Sequence, residues 1–144
     1  MKVKIKKGKK EKWYIEDYLF PIAYPLIKKI HNIKEEKIIH HAYIEYQGKN
    51  VECDVAIIYR SSRNTRKLLI IELKEHDLDK LIIQLIVRRK FANLIYGVIN
   101  KSYDVIMNSL LSNRLVLNYV SNMGLGLIAI ENNKARIVFP SIER

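Results

Sequence analysis

Two carboxylic acids and a lysine in this sequence are spaced so that one cation could join the acids. Asp54 lies within a run of apolar residues, and Glu72 and Lys74 end the next such run. Side chains alternate along a β-strand, so Glu72 and Lys74 share a face while Leu73 points away. If Asp54 lies opposite Glu72, two like charges are held roughly 5 Å apart, which is unfavourable without a cation between them. Two acids and a lysine on one surface are the residue types of a divalent-metal hydrolase.

A hairpin is predicted to bring the two acids together. Two β-rich runs flank a polar segment from Arg60 to Lys67, which we call the basic connector, and this pattern is typical of antiparallel strands. With Tyr59 facing the end of the connector, counting back along both strands places Asp54 opposite Glu72 or Leu73. The sequence therefore predicts that the acids lie at the end of the hairpin away from the connector.

The Glu-x-Lys spacing by itself is a weak signal, because Glu35-Glu36-Lys37 repeats it. That copy follows no β-rich run, and we interpret it as solvated surface. The Glu72 copy ends a β-rich run, has an acid on the neighbouring strand and precedes a predicted helix. The alternative for Asp54, Glu72 and Lys74 is a cross-strand salt-bridge cluster at a sheet edge, since structural ion pairs imitate functional sites.

Length and composition favour one domain with its own core. The chain has 144 residues, 49% of them hydrophobic, and a single cysteine, Cys53, which excludes a disulfide framework and a cysteine-based zinc site. Strand alternation puts Cys53 on the face opposite Asp54, where we expect a small core residue. No apolar run approaches the roughly 20 residues that span a bilayer, and the basic start lacks the apolar part of a secretory signal. We expect a soluble, cytoplasmic protein with no membrane partner.

The net charge favours a polyanionic partner. Lysine and arginine number 26 against 15 aspartate and glutamate, a formal net charge of +11. Such a protein gains affinity for nucleic acid by neutralising phosphates. We interpret residues 1–12 as a basic flexible tail, for which a lysine-rich solvated surface is the alternative, and 13–144 as a single domain. The residues predicted to contact DNA are Arg60, Arg63, Arg66, Lys67, Lys80, Arg88 and Arg89.

Periodicity predicts an α/β domain in which helices and strands alternate. The predicted helices cover 13–30, 78–92 and about 102–122, and the predicted strands cover 38–46, 51–59, 68–74, 94–99, 125–131 and 135–139. Pro21 and Pro25 must kink or break the first helix. The order is helix, three strands, helix, strand, helix and two strands.

This order, with Asp54 on the second strand and Glu72-Leu73-Lys74 on the third, resembles the PD-(D/E)XK nuclease superfamily. The resemblance covers about Glu11 to Ile99 and implies a restriction-endonuclease-like α/β core, in which helices flank a central mixed sheet. The sequence departs from the pattern at two positions. Cys53 stands where the superfamily's proline would precede the aspartate, and Arg88 stands where one large branch has tyrosine.

The resemblance implies a role for each residue of the predicted site. Asp54, Glu72 and the Leu73 carbonyl would bind Mg²⁺ or Mn²⁺, since hard cations take oxygen ligands. Lys74 would position the attacking water and stabilise the charge that builds up on phosphorus. Glu16 matches a glutamate that many members direct toward the metal, and its alternative is a surface position.

Gln84 is the last candidate for the predicted site. It lies on the second long helix in line with Lys80 and Arg88, at i, i+4 spacing. Because this stripe is not the apolar one, it could face the site and the substrate. The alternative is a solvated helix face.

We therefore expect a Mg²⁺-dependent endonuclease that hydrolyses DNA phosphodiester bonds with two carboxylates and a lysine. A Holliday-junction resolvase is the alternative within this class, and it would imply a homodimer. A non-catalytic nucleic-acid-binding protein of the same fold is the alternative from another class. The sequence also allows a basic α/β interaction protein whose carboxylates form a structural ion-pair cluster.

Overall fold

The computed structural model describes residues 3–8 and 15–144, which form an α/β structure around one mixed sheet. The strands are β1 (Lys4–Lys7), β2 (Lys34–Tyr46), β3 (Lys49–Arg60), β4 (Arg66–Lys74), β5 (Leu94–Ile99), β6 (Gly126–Glu131) and β7 (Lys134–Phe139). The helices are α1 (Leu19–His31), α2 (Leu78–Arg88), α3 (Tyr103–Ser112) and α4 (Arg114–Asn122). Single 3₁₀ turns precede α1, at Ile15–Tyr18, and follow α2, at Arg89–Phe91.

The order of the strands in the sheet is their order in the chain, from β1 to β7. Neighbouring strands are antiparallel except for the pairs β4–β5 and β5–β6, which are parallel. The two parallel connections advance in the same direction, so right-handed crossovers place their helices on one face. Accordingly α2, α3 and α4 pack in one core cluster, and α1 packs in the cluster on the other face.

Helix α2 lies unusually close to the sheet at Gly97. A Cβ atom on Gly97 would lie 2.8 Å from Leu85 Cδ1 and 2.9 Å from Leu81 Cδ2. Gly97 pairs with Glu72 across the β4–β5 ladder. The missing side chain therefore lets α2 pack directly over the part of the sheet that carries the predicted site. Helix α2 begins after its N-cap Asp77, whose side chain accepts a hydrogen bond from the Lys80 backbone N–H.

The two long helix predictions differ from the structure in detail. The helix predicted over 102–122 is two helices, because Asn113 interrupts it and its side chain caps α4 by accepting a hydrogen bond from the Val116 N–H. In α1, Pro21 lies in the first turn, where the missing N–H has no helical partner to lose. The chain remains helical through Pro25, so the predicted break is not found there.

The predicted flexible tail over 1–12 is wrong for Lys4–Lys7, which form the edge strand β1 against β2. Val3 and Ile5 pack against the core on the α2 side, while Lys4 and Lys6 alternate with them and are exposed. The alternation of apolar and basic residues from Val3 to Lys6 is the sequence pattern that indicates this strand. The sheet therefore begins before residue 13, while the rest of the predicted tail apart from Val3 and Gly8 lies outside the described residues.

An irregularity at His41 changes the alternation of the central strands. His41 has a positive φ of 50°, and β2 contributes Ile39 before it and Ala42 after it to the same core cluster. On β3, Cys53 belongs to that cluster and lines the same cavity as Asp54. The prediction that Cys53 is a core residue is confirmed, whereas its predicted position on the face opposite Asp54 is wrong. Within the described ranges, no helix is long and apolar enough to cross a membrane.

Candidate active site

The register of the β3–β4 hairpin is the predicted one. Tyr59 pairs with Lys67, and the ladder continues as far as the pair of Val55 with Ile71, so the next residues along the strands are Asp54 and Glu72. Beyond the pair of Val55 with Ile71, the side chain of Asp54 takes the place of a backbone carbonyl as the hydrogen-bond acceptor. Its Oδ2 accepts a hydrogen bond of 2.7 Å from the Leu73 backbone N–H. This bond fixes the Asp54 carboxylate against β4, beside Glu72.

The two acids open into a cavity of about 310 Å³, which we call the acidic cavity. Its lining is drawn from the first 3₁₀ turn, β3, the end of β4 and one face of α2. The lining residues are Glu16, Glu52, Cys53, Asp54, Glu72, Leu73, Lys74, Gln84 and Arg88. The structure thus brings together all five predicted catalytic residues and Leu73. It also adds three that were not in the predicted catalytic or metal-binding sets, namely Glu52, Cys53 and Arg88.

Glu72 is the buried acid of the cavity, with 2% of its surface exposed. Burial raises its pKa well above the ordinary range, the negative charge of Asp54 raises it further, and the charge of Arg88 partly opposes both. Arg88 Nε lies 2.8 Å from Glu72 Oε1, but this N–H donates its hydrogen bond to the Glu52 carbonyl. Glu72 Oε1 therefore receives no hydrogen bond from any described residue.

Gln84 presents a second oxygen in the same situation. Its Oε1 is buried and has no hydrogen-bond donor among the described residues. Buried acceptors in folded proteins are satisfied in about 90% of cases or more, so two unsatisfied oxygens on residues of one cavity require a physical explanation. A bound cation, or a proton on Glu72, would provide the favourable interaction that the surrounding side chains do not give these two oxygens.

Glu16 is held at the cavity by its neighbours in the 3₁₀ turn. Asp17 Oδ2 lies 3.0 Å from His41 Nε2 on β2, and the Tyr18 hydroxyl donates to Glu75 Oε2 at 2.8 Å, one residue after β4. Asn100 Nδ2 donates to the other Glu75 oxygen at 2.7 Å. These contacts hold the turn against β2 and the end of β4, and Glu16, which directly precedes Asp17, lines the cavity. The resemblance described above implied this position for Glu16.

Lys74 supplies an uncommitted positive charge. It is half-buried at the end of β4 and lines the cavity on the same face as Glu72. Its ammonium forms no ion pair or hydrogen bond with the part of the chain that the structure describes. It is therefore available to an anionic substrate. Lys67, at the other end of the same strand, instead pairs with Glu143 at 2.8 Å.

The residues present fit a divalent cation with oxygen ligands. The described residues contain no group of three or more His, Cys, Asp or Glu side chains that could hold a metal. A cation in the cavity would therefore depend on the carboxylates of Asp54 and Glu72, with the Leu73 carbonyl and water to complete its shell. Two carboxylates with water are a usual set for Mg²⁺, and Glu72 Oε1 accepts no hydrogen bond from the described residues, although the charge of Arg88 lies beside it.

Two of the residues predicted to contact DNA are committed inside the protein. Arg89 is only 3% exposed, and its guanidinium donates to four backbone carbonyls, including those of Met123 and Ile142. Burial lowers its pKa to about 10. Its prediction as a DNA contact is wrong, because the chain uses it to join α2 to the C-terminal segment. Arg88 is turned into the acidic cavity rather than to the open surface.

The basic connector lies at the far end of the hairpin from the acidic cavity. Arg60 and Arg66 both pair with Glu36, while Arg63 and Lys80 are exposed. Six residues of β3 separate Arg60 from Asp54, which is roughly 20 Å along an extended strand. The connector is therefore a separate surface and does not border the cavity.

A different basic surface lies beside the cavity, and it is formed by β1. Lys6 pairs with Tyr43, and Tyr43 pairs with Glu52, so the three residues form a row that ends at the cavity lining. A second cavity of about 450 Å³, which we call the lysine groove, is lined by Lys6, Lys7, Tyr43 and Asn50. Lys6 also pairs with Glu45, whose pKa it lowers through a hydrogen bond and its charge.

Neither the protein-family models nor the curated proteins with which the sequence was compared match this chain.

Proposed function

We propose that this protein is a metal-dependent nuclease that hydrolyses DNA phosphodiester bonds in the acidic cavity. The observation that carries the proposal is Glu72, a buried carboxylate beside Asp54 whose Oε1 accepts no hydrogen bond from the described residues, since the N–H of the nearby Arg88 Nε is donated to the Glu52 carbonyl. Such an atom costs stability unless a ligand satisfies it. An uncommitted lysine on the same face completes the set that phosphate chemistry needs.

The resemblance to the PD-(D/E)XK superfamily supports the same conclusion. The order α1, β2, β3, β4, α2, β5 repeats the order on which the resemblance rests, with Asp54 and Glu72 on the second and third of these strands. The seven-stranded sheet is larger than the restriction-endonuclease-like fold usually has, because β1, β6 and β7 extend it. None of these three strands contributes a residue to the lining of the acidic cavity.

In this proposal each residue has one task. Asp54 and Glu72 hold the Mg²⁺ or Mn²⁺ ion, and Asp54 is already oriented by the Leu73 N–H. When bound, the cation polarises a phosphoryl oxygen and lowers the pKa of a water. Lys74 binds the phosphate and stabilises the negative charge that develops on it. Glu16 and Gln84 accept hydrogen bonds from water in the cavity and hold it in place.

The charge distribution supports a nucleic acid as the substrate. The protein carries a formal net charge of +11. Lys6 and Lys7 of the lysine groove lie two strands from β3, or about 10 Å from the cavity lining. Tyr43 in this groove offers a ring on which a base can stack. We propose that the substrate lies along the lysine groove rather than along the basic connector.

One observation favours a second candidate, a non-catalytic nucleic-acid-binding protein. Glu72 already has a cationic neighbour, Arg88, and this pair could serve structure alone. Lys74 favours catalysis over this candidate, since a purely structural cluster would be expected to pair it as well.

Cleavage assays distinguish the two. The protein is incubated with linear, supercoiled, single-stranded and four-way-junction DNA in Mg²⁺, in Mn²⁺ and in EDTA. We expect cleavage with either metal, none in EDTA, and none by Glu72→Ala. Glu35→Ala is the matched control, because Glu35 belongs to the second Glu-x-Lys sequence, is exposed and pairs only with Lys28 among charged residues of the described ranges.

Cleavage that persists in EDTA, or that is equal in Glu72→Ala and the wild type, would exclude the proposed mechanism. DNA binding without cleavage under either metal would favour the non-catalytic candidate. Cleavage confined to the four-way junction would identify the protein as a resolvase.

A further inference from the structure

Arg88 lies inside the acidic cavity, and the roles assigned above leave it without a function. Its Nε is 2.8 Å from Glu72 Oε1. The same nitrogen donates to the Glu52 carbonyl at 2.8 Å, and Nη1 donates to the Gln84 carbonyl at 3.2 Å. Two backbone carbonyls thus hold the guanidinium at the cavity, while its contact with Glu72 is by charge alone.

A cation and Arg88 compete for the same oxygen. A divalent ion bound to Glu72 Oε1 would lie only a few ångströms from the guanidinium, and charges of like sign at such a separation repel strongly in a site of low effective dielectric. The two further acids of the cavity, Glu16 and Glu52, are less buried than Glu72 and make no ion pair with Arg88. Binding of the metal through this oxygen therefore requires Arg88 to move away from Glu72.

We propose that Arg88 is an exchangeable counter-ion: it neutralises Glu72 in the metal-free protein and transfers to a substrate phosphate when a divalent cation takes Glu72. This inference rests on the proposed nuclease function. Arginine suits the exchange because its planar fork binds carboxylate and phosphate with the same geometry. The carbonyls of Glu52 and Gln84 keep it near both partners.

The exchange couples the metal to the substrate. A phosphate that holds Arg88 removes the competitor for Glu72, so DNA should strengthen metal binding, and metal should strengthen DNA binding by the same factor. Without DNA, Arg88 keeps the affinity for metal low. A purely structural Arg88 would produce neither effect.

Calorimetric titration with Mn²⁺ tests the inference in the absence of DNA. We expect Arg88→Met to bind Mn²⁺ about tenfold more tightly than the wild type, because a repulsive charge is removed from the ligand oxygen. Arg88→Lys, which keeps the charge and is the safer variant for folding, should bind Mn²⁺ as weakly as the wild type. Lys29→Met is the matched control, since it removes the same charge from an exposed position of α1, on the other face of the sheet.

The same titrations are then repeated with a phosphorothioate oligonucleotide, which keeps its negative charge and resists cleavage. DNA should raise the Mn²⁺ affinity of the wild type and of Lys29→Met, and it should raise that of Arg88→Met much less. An Mn²⁺ affinity that falls or stays the same in Arg88→Met, while the wild type binds Mn²⁺ and cleaves DNA, overturns the exchange and leaves the nuclease proposal standing. If neither the wild type nor Arg88→Met binds Mn²⁺, the nuclease proposal fails and the exchange fails with it.

Discussion

The two ends of the β3–β4 hairpin carry charged residues in opposite ways. At the connector end, Arg60 and Arg66 share Glu36, and Lys67 is paired with Glu143. At the cavity end, Asp54 and Glu72 are acids side by side, with Glu72 buried and one of its oxygens without a hydrogen bond. At the connector end each acid has a basic partner at the surface, whereas at the cavity end only Glu72 of the two acids has a cationic partner, Arg88, among the described residues.

The difference shows where charge serves the fold and where it serves a ligand. Exposed ion pairs such as those of the connector contribute roughly 0–1 kcal/mol each, so they can be exchanged with little consequence. Two adjacent acids with one of them buried lower stability, and natural proteins keep such violations mainly at functional sites. The number of basic residues predicted a DNA-binding site at the connector, whereas the unsatisfied oxygens of Glu72 and Gln84 indicate a ligand site in the acidic cavity.

The largest expected effect compares the two lysines of β4. Lys74→Ala should lower the cleavage rate by about 100-fold or more, the usual cost of losing a group that stabilises developing charge, with little change in Tm. Lys67→Ala removes the same charge from the other end of the strand, where it pairs with Glu143, and should cleave like the wild type. Single-turnover rates and thermal unfolding measure both variants. Equal losses in the two would mean that total charge, and not position, limits cleavage.

The second effect is on the pH dependence of stability in EDTA. The pKa of Glu72 is raised in the folded protein, so the folded state binds more protons than the unfolded state above the ordinary value of 4.5. The free energy of unfolding should therefore fall as pH rises from that value through the raised pKa, and Glu72→Gln should remove this contribution. Urea unfolding between about pH 5 and pH 8 measures it.

The control for this experiment is Glu36→Gln, which neutralises an exposed acid at the connector end. It should keep the slope of the wild type. A wild-type slope in Glu72→Gln would show that Glu72 is not the titrating group. Mn²⁺ should oppose the fall in the wild type, because it binds the deprotonated carboxylates.

A third, intermediate effect concerns the close packing of α2 against Gly97. Gly97→Ala should lower the free energy of unfolding by about 1–3 kcal/mol through overpacking against Leu81 and Leu85. It should also slow cleavage, because α2 carries Gln84 over the acids. In a double-mutant cycle measured by urea unfolding, Leu85→Ala should relieve part of the cost of Gly97→Ala. Strict additivity would mean that the helix does not press on Gly97.

The smallest effect is expected at the basic connector. Arg66→Ala should change the free energy of unfolding by no more than about 1 kcal/mol, because its partner Glu36 is also served by Arg60. Its cleavage rate and DNA affinity, measured by fluorescence anisotropy, should match those of the wild type. A marked loss of DNA affinity would return the connector to the substrate path and weaken the case for the lysine groove.

The hairpin register could be predicted from the sequence, because strand alternation and the length of the connector restrict it strongly. Tyr59 pairs with Lys67 as expected, and this places Asp54 beside Glu72. The order of most helices and strands was predictable for the same reason, since local periodicity determines it. The grouping of Glu16 with the acids was a prediction from resemblance and that of Gln84 a prediction from helical spacing, and both line the cavity.

Other features depend on contacts that a one-dimensional pattern does not contain. The backbone turn at His41 reverses which side chains of β2 face inward, and nothing in the residue type requires its positive φ. Arg88 and Arg89 are adjacent and chemically identical, yet one faces the cavity and the other is sealed by four carbonyls. The strand Lys4–Lys7 looks like a basic tail until its pairing with β2 is known.

Because the sheet follows the chain order, its assembly can follow synthesis from the N-terminus. Each strand pairs with the one made just before it, so no pairing has to wait for a distant segment. All residues that line the acidic cavity lie between Glu16 and Arg88. The elements that carry them can therefore associate while β6 and β7 are still being translated, and a nascent chain would possess its reactive centre before it possesses its last two strands.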